Sequence, residues 1–122
     1  MSKKILVVED TEDNRQILRD LLGMAGYEML EAHDGAEGVA KAAEHRPDLI
    51  LMDIQMPVMD GYEATRRIKA NPDLKAIPIV AVTSYALSGD EQKTRDAGCD
   101  AYIAKPYSPR QMLAKVREIL GS

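Results

Sequence analysis

Three stretches of the chain are apolar without interruption: Ile5-Leu6-Val7-Val8, Leu49-Ile50-Leu51-Met52 and Ile79-Val80-Ala81-Val82. A strand with one wet face would alternate, so unbroken runs predict parallel strands covered by helices on both faces. Two shorter and more mixed segments, Glu28 to His33 and Asp100 to Ala104, predict flanking or edge strands. Between the strands the apolar period becomes helical. A first helix over roughly Glu12 to Ala25 puts Ile17, Leu18, Leu21 and Leu22 on one face. The last helix carries Met112, Leu113, Val116, Ile119 and Leu120 at the same kind of spacing.

Capping chemistry marks where helices begin. A side-chain oxygen at the cap satisfies a free N–H of the first turn, and an acid or amide three residues on can reach back. Asp34…Glu37, Asp60…Glu63, Ser88…Glu91 and Ser108…Gln111 all carry that pattern, and Pro109 follows the last cap at a position that needs no N–H. Stops fall at Gly26, Pro47, Asn71-Pro72, Gly98 and Gly121. The resulting order is β-α repeated along the chain, with no internal repeat beyond it and no linker. Right-handed crossovers and this alternation favour an open, doubly wound parallel α/β sheet.

Length and charge narrow the function classes. The chain has 122 residues, enough for one domain with one core. Its net charge is −4, and the densest basic spot is Arg66-Arg67 with Lys69. Phosphate neutralisation needs clustered Lys and Arg, so nucleic acid is not an expected partner. Apolar runs are far too short to span a membrane, and Glu9 and Asp10 end the run that follows Lys3-Lys4, which excludes a signal peptide. A single cysteine, Cys99, excludes a disulfide framework and reads as a small side chain beside a turn. The expected location is the cytoplasm.

In open α/β sheets ligands bind beyond the carboxyl ends of the strands. Glu9 and Asp10 follow the first predicted strand, Asp53 the third, Thr83 the fourth and Lys105 the fifth. Acids just after strands also cap helices, and Asp10 or Thr11 is placed to do so. Five suitable residues at four strand ends are harder to attribute to capping. Clustered carboxylates repel one another, and a hard cation such as Mg²⁺ removes that conflict, as Lys105 does in part. A carboxylate can also attack phosphorus to form an acyl phosphate, with cation and ammonium neutralising the transferring group and Thr83 donating to it.

These residues belong to an ordered set: Val7-Val8-Glu9-Asp10, Pro47 to Asp53, Met56-Pro57, Asp60-Gly61, Val82-Thr83 and Lys105-Pro106. In that order and spacing the whole chain resembles the receiver domains of bacterial two-component response regulators. The resemblance implies a five-stranded flavodoxin-like (βα)₅ fold with strand order 2-1-3-4-5. It implies that Asp53 is the phospho-acceptor and that Asp10, Asp53 and the Gln55 backbone carbonyl bind Mg²⁺, or Mn²⁺ as a substitute, with Glu9 acting mainly through water. Thr83 becomes the switch hydroxyl, Lys105 the phosphate-site lysine, Tyr102 the aromatic switch, and the Lys105–Pro106 bond cis. Gln55 and Tyr85 occupy variable positions expected to tune the lifetime of the phosphorylated state.

The donor implied is a histidine kinase or histidine phosphotransfer protein, and the output a protein target reading the face of the fourth helix, fifth strand and fifth helix. With the chain ending at Ser122, output through protein contacts is expected, as in stand-alone cell-fate regulators; a receiver cut from a hybrid histidine kinase shares part of the pattern. Other classes fit less well. Aspartate-nucleophile phosphatases place their nucleophile on the first strand with a second Asp two residues on, whereas here the third strand bears Asp53 and Gln55 stands at that offset. A flavin binder would need a Ser/Thr/Gly-rich phosphate loop where Glu9-Asp10-Thr11-Glu12-Asp13 stands. His33 and His45 lie in different predicted connections or helix ends and suggest neither phosphodonor nor zinc site.

Overall fold

Each unbroken apolar run is a strand. In the computed structural model, which describes residues 3–54, 59–83 and 90–121, β1 spans Lys4–Val8, β3 Leu49–Asp53 and β4 Ile79–Thr83. The mixed segments form the edges, β2 at Glu28–Ala32 and β5 at Ala101–Ala104. All neighbours are parallel, in the order β2-β1-β3-β4-β5 that the resemblance implied. Helices α1 (Glu12–Met24), α2 (Gly35–His45), α3 (Gly61–Ala70), α4 (Asp90–Ala97) and α5 (Pro109–Leu120) follow the strands in turn.

Alternation along the strands sorts the core into two layers. Ile5, Val7, Leu49, Leu51, Val80, Val82 and Ile103 point to one face, under Leu18 and Leu22 of α1 and Met112 and Val116 of α5. Leu6, Val8, Ile50, Met52 and Ile79 point to the other, against Ala42 of α2 and Ala64 and Ile68 of α3. The central strands β3 and β4 are buried at every position, as unbroken apolar runs require. Ile17 departs from the expected stripe: it is 56% exposed, because it sits one residue off the Leu18–Leu22 ridge and faces the end of β5 instead of the sheet.

Three of the expected caps form. Asp34 accepts from the Glu37 N–H at 2.8 Å, Asp60 from Glu63 at 2.9 Å, and Ser108 and Gln111 make a reciprocal box. Ser88 lies outside the described residues. Thr11 stands at the start of α1 but makes no side-chain cap; its N–H donates to the Glu9 carboxylate instead. Arg46 ends α2 in the left-handed region at φ 46°, where the following Pro47 disfavours continued helix. Among the described residues no helix is long and apolar enough to cross a membrane.

Candidate functional site

The acidic pair sits where β1 leaves the sheet. The Glu9 N–H still donates to Ala32 on β2 (3.0 Å), and the chain then turns into α1. Glu9 is 4% exposed, its carboxylate accepting from the Thr11 N–H (3.0 Å) and from Asn14 (3.4 Å). Asp53 ends β3 and is 3% exposed. A glycine follows closely in space: a Cβ on Gly61 would lie 2.4 Å from the Asp53 carbonyl oxygen, so only glycine lets the start of α3 abut this strand end. Lys105 arrives from β5, its N–H bonded to the Thr83 carbonyl at 2.8 Å.

Carboxylate oxygens of Glu9, Asp10 and Asp53 lie within 4.8 Å of one another. The Lys105 ammonium is 3.3 Å from Asp53 Oδ2 and 3.4 Å from Glu9 Oε1, longer than the usual charge-assisted bond. One ammonium against three carboxylates leaves a net charge of about −2 in the cluster. Partial burial pushes the Asp10 carboxyl up from its ordinary value, and the hydrogen bond and charge of Glu9 push it further. Burial works against the charge on Lys105, but Asp53 and Glu9 outweigh it and hold its pKa above the ordinary value. The donor set is thus all oxygen, anionic and mutually repelling, which suits a hard divalent cation.

Four of the expected residues, Glu9, Asp10, Asp53 and Lys105, meet in this cluster. Thr83 lies fully buried at the end of the neighbouring strand, one residue beyond the Val82 that pairs with Asp53. Tyr102 is half-buried on the edge strand, on the face opposite Ile103. Gln55 and Tyr85 fall outside the described residues. The Lys105–Pro106 bond is cis, as the resemblance implied. Cys99 is half-buried with its Sγ 3.8 Å from Thr65 Oγ1, and burial raises its pKa, so it reads as an inert packing residue.

Several residues around the site lie outside the site set expected from the sequence. Asn14 and Thr11 hold the Glu9 carboxylate, Arg15 donates to the Glu9 backbone carbonyl at 2.6 Å, and Tyr107 flanks Lys105. Burial, with the charges of Glu9 and Asp53, pushes the Tyr107 phenol up to about 12. An open cleft of about 580 Å³ runs beside the cluster, lined by Asn14, Ile17, Lys105, Pro106 and Tyr107. Of these, Tyr107 could have been suspected from its place two residues after Lys105.

Relatives share both the sequence and the shape. The family model described as response regulator receiver domain matches residues 5–117. The polar-differentiation response regulator DivK of Brucella anthropi is 45% identical over 121 residues, covering 99% of this chain and 98% of that protein. Its counterpart in Brucella ovis is 44% identical over the same shares. Among solved structures, the receiver domain of sensor histidine kinase PA1611 from Pseudomonas aeruginosa superposes with a TM-score of 0.93 at 37% identity, with all of both chains covered. That structure holds a magnesium ion coordinated in its active-site cleft. Chemotaxis protein CheY4 of Vibrio cholerae gives 0.93 at 32% identity over 98% of this chain and all of its own. With the strand order, the acidic cluster and the family match all in agreement, the chain belongs to the response regulator receiver domains.

Proposed function

We propose that this receiver is a phosphorelay switch that accepts a phosphoryl group on Asp53 from a phosphohistidine of a histidine kinase or histidine phosphotransfer protein. The observation that carries this reading is the meeting of three carboxylates within 4.8 Å, with the Lys105 ammonium 3.3 Å from Asp53. An Asp53 carboxylate oxygen would attack phosphorus, the phosphorus–nitrogen bond of the donor would break, and the imidazole would leave with its electron pair and take a proton. Bound Mg²⁺, for which Mn²⁺ can substitute, would supply neutralisation of the phosphoryl oxygens. Asp10, Asp53 and the Gln55 backbone carbonyl would hold it, with Glu9 acting through water. Lys105 would neutralise a further phosphoryl oxygen, and the Thr83 hydroxyl would donate to another.

Output follows from a shift in population. Drawing Thr83 toward the phosphoryl group would open space for Tyr102 to turn inward and change the α4-β5-α5 face, which a downstream protein would read. Moving such a switch from mostly off to mostly on takes ~5 kcal/mol of differential stabilisation, within reach of a charge-assisted phosphate site. The phosphate lifetime would be tuned at Gln55 and Tyr85. The regulator would act in the cytoplasm through protein contacts; the 45% identity to a DivK response regulator supports the regulatory role, and the acidic charge argues against nucleic acid as its target.

Incubation with acetyl phosphate and Mg²⁺, followed by intact mass measurement, tests the reading. One phosphoryl adduct is expected on the wild type and none on Asp53→Asn. An equal adduct on the variant, or none on the wild type, rejects Asp53 as acceptor.

A further inference from the structure

The turn between β1 and α1 carries Glu9 and Asp10, two of the three acids of the proposed cation site, so its direction decides where they point. Arg15, in the first turns of α1, reaches back to that turn: its Nη1 donates to the Glu9 carbonyl oxygen at 2.6 Å. The side chain is only 13% exposed. Its remaining nitrogens are also engaged, Nη2 with Glu12 Oε2 at 2.6 Å and Nε with Glu31 Oε1 at 3.4 Å. Glu31 stands on β2 opposite Val7 and is gripped in turn by Arg19 at 2.9 and 2.5 Å. A largely buried guanidinium is tolerated only when its donors are satisfied, and its planar fork fixes direction as well as charge. Here α1 and β2 aim that fork at a single carbonyl.

We propose that Arg15 is a positioning residue for the metal site: by gripping the Glu9 carbonyl it fixes the β1–α1 turn and the direction in which Glu9 and Asp10 face Asp53. This rests on reading the cluster as a Mg²⁺ site. Geometry and charge predict opposite signs for its removal. As a nearby cation Arg15 repels Mg²⁺, so deleting a mere charge would tighten binding. Deleting a positioner would weaken it. Arg19 provides the control, because it shares Glu12 and Glu31 with Arg15 while its described bonds go to Glu12, Gln16 and Glu31.

The test is calorimetric titration of the full chain with MgCl₂ at fixed ionic strength, with circular dichroism to verify folding. Partners that orient metal ligands are worth 10–100-fold in affinity, so Arg15→Met is expected to bind about tenfold more weakly. Arg15→Lys keeps the charge but lacks the planar fork that presents separate nitrogens to Glu9, Glu12 and Glu31, and about threefold weaker binding is expected. Arg19→Met should stay within about twofold of the wild type, because none of its described bonds reaches the β1–α1 turn. Arg15→Met binding as tightly as the wild type or tighter overturns the proposal, and so does Arg19→Met weakening binding as much as Arg15→Met. Should Arg15→Met not fold, wild-type affinity in Arg15→Lys overturns it. A wild-type chain that binds no Mg²⁺ rejects the functional reading and this inference together; unchanged affinity in the variants of a binding wild type rejects this inference alone.

Discussion

Tyr107 stands outside the acidic cluster yet feels its charge. Burial, together with the charges of Glu9 and Asp53, raises its pKa to about 12. Removing one of the two carboxylate charges would lower the shift and leave the part due to burial. Absorbance titration at alkaline pH should therefore show a late phenol that is lost in Tyr107→Phe and moves to lower pH in Glu9→Gln. No movement would mean that the charge of Glu9 does not reach the phenol. Stability changes in the same window. A group whose folded pKa is raised stabilises fully below its unfolded value, and that contribution is lost as pH rises through the folded one. For Tyr107 the loss runs from 10 to about 12, and Lys105, also raised from 10.5, adds a loss on the same alkaline side. Asp10, raised from 3.8, disfavours the folded state once it ionises, so its effect appears as pH rises through the acid range.

At the scale of elements, the start of α3 abuts the strand end that carries Asp53. An added Cβ at Gly61 would meet the Asp53 carbonyl at 2.4 Å and Ile54 Cα at 2.8 Å, both backbone atoms that cannot swing aside. Gly61→Ala is expected to cost about 1–3 kcal/mol by overpacking and to slow phosphoryl acceptance. Urea unfolding together with acetyl phosphate labelling checks both; wild-type values in each would show that this close approach does not aim Asp53. The caps at Asp34, Asp60 and Ser108 were readable in advance because donor and acceptor lie three residues apart. The side-chain cap offered at Thr11 does not form; its N–H donates to the Glu9 carboxylate at the end of the preceding strand, a partner the three-residue spacing does not mark.

For the whole molecule, the site is a local conflict held by a well-packed frame. Two apolar layers bury β3 and β4 on both faces, and the sheet delivers three acids to one edge against a single ammonium. A ligand that binds only the folded state stabilises it by about 2.7 kcal/mol at a hundredfold excess over its dissociation constant. Saturating Mg²⁺ should thus raise the thermal midpoint by about 10 °C for a domain of this size. Scanning calorimetry with Mg²⁺ and then with excess chelator checks it, and a midpoint indifferent to both would exclude the cluster as a metal site.

By itself the sequence determined the layers, the strand ends and the identity of the central residues. Unbroken apolar runs can be satisfied only by strands covered on both faces, and the residues just past those runs must emerge together at one edge. The family match of Asp53, Glu9, Asp10, Thr83 and Lys105 added the strand order. Tertiary structure decided what no local pattern contains. Ile17 repeats with the core residues of α1 but faces a cleft, because the β5–α5 connection, not the sheet, lies beneath it. Arg15 reaches the Glu9 carbonyl, and Tyr107 takes on the charge of Glu9 and Asp53, through distances set by how α1 and the end of β5 are laid against the sheet. Periodicity reports which face of an element is apolar, whereas the partner that a polar side chain meets depends on the packing of elements far apart in the chain.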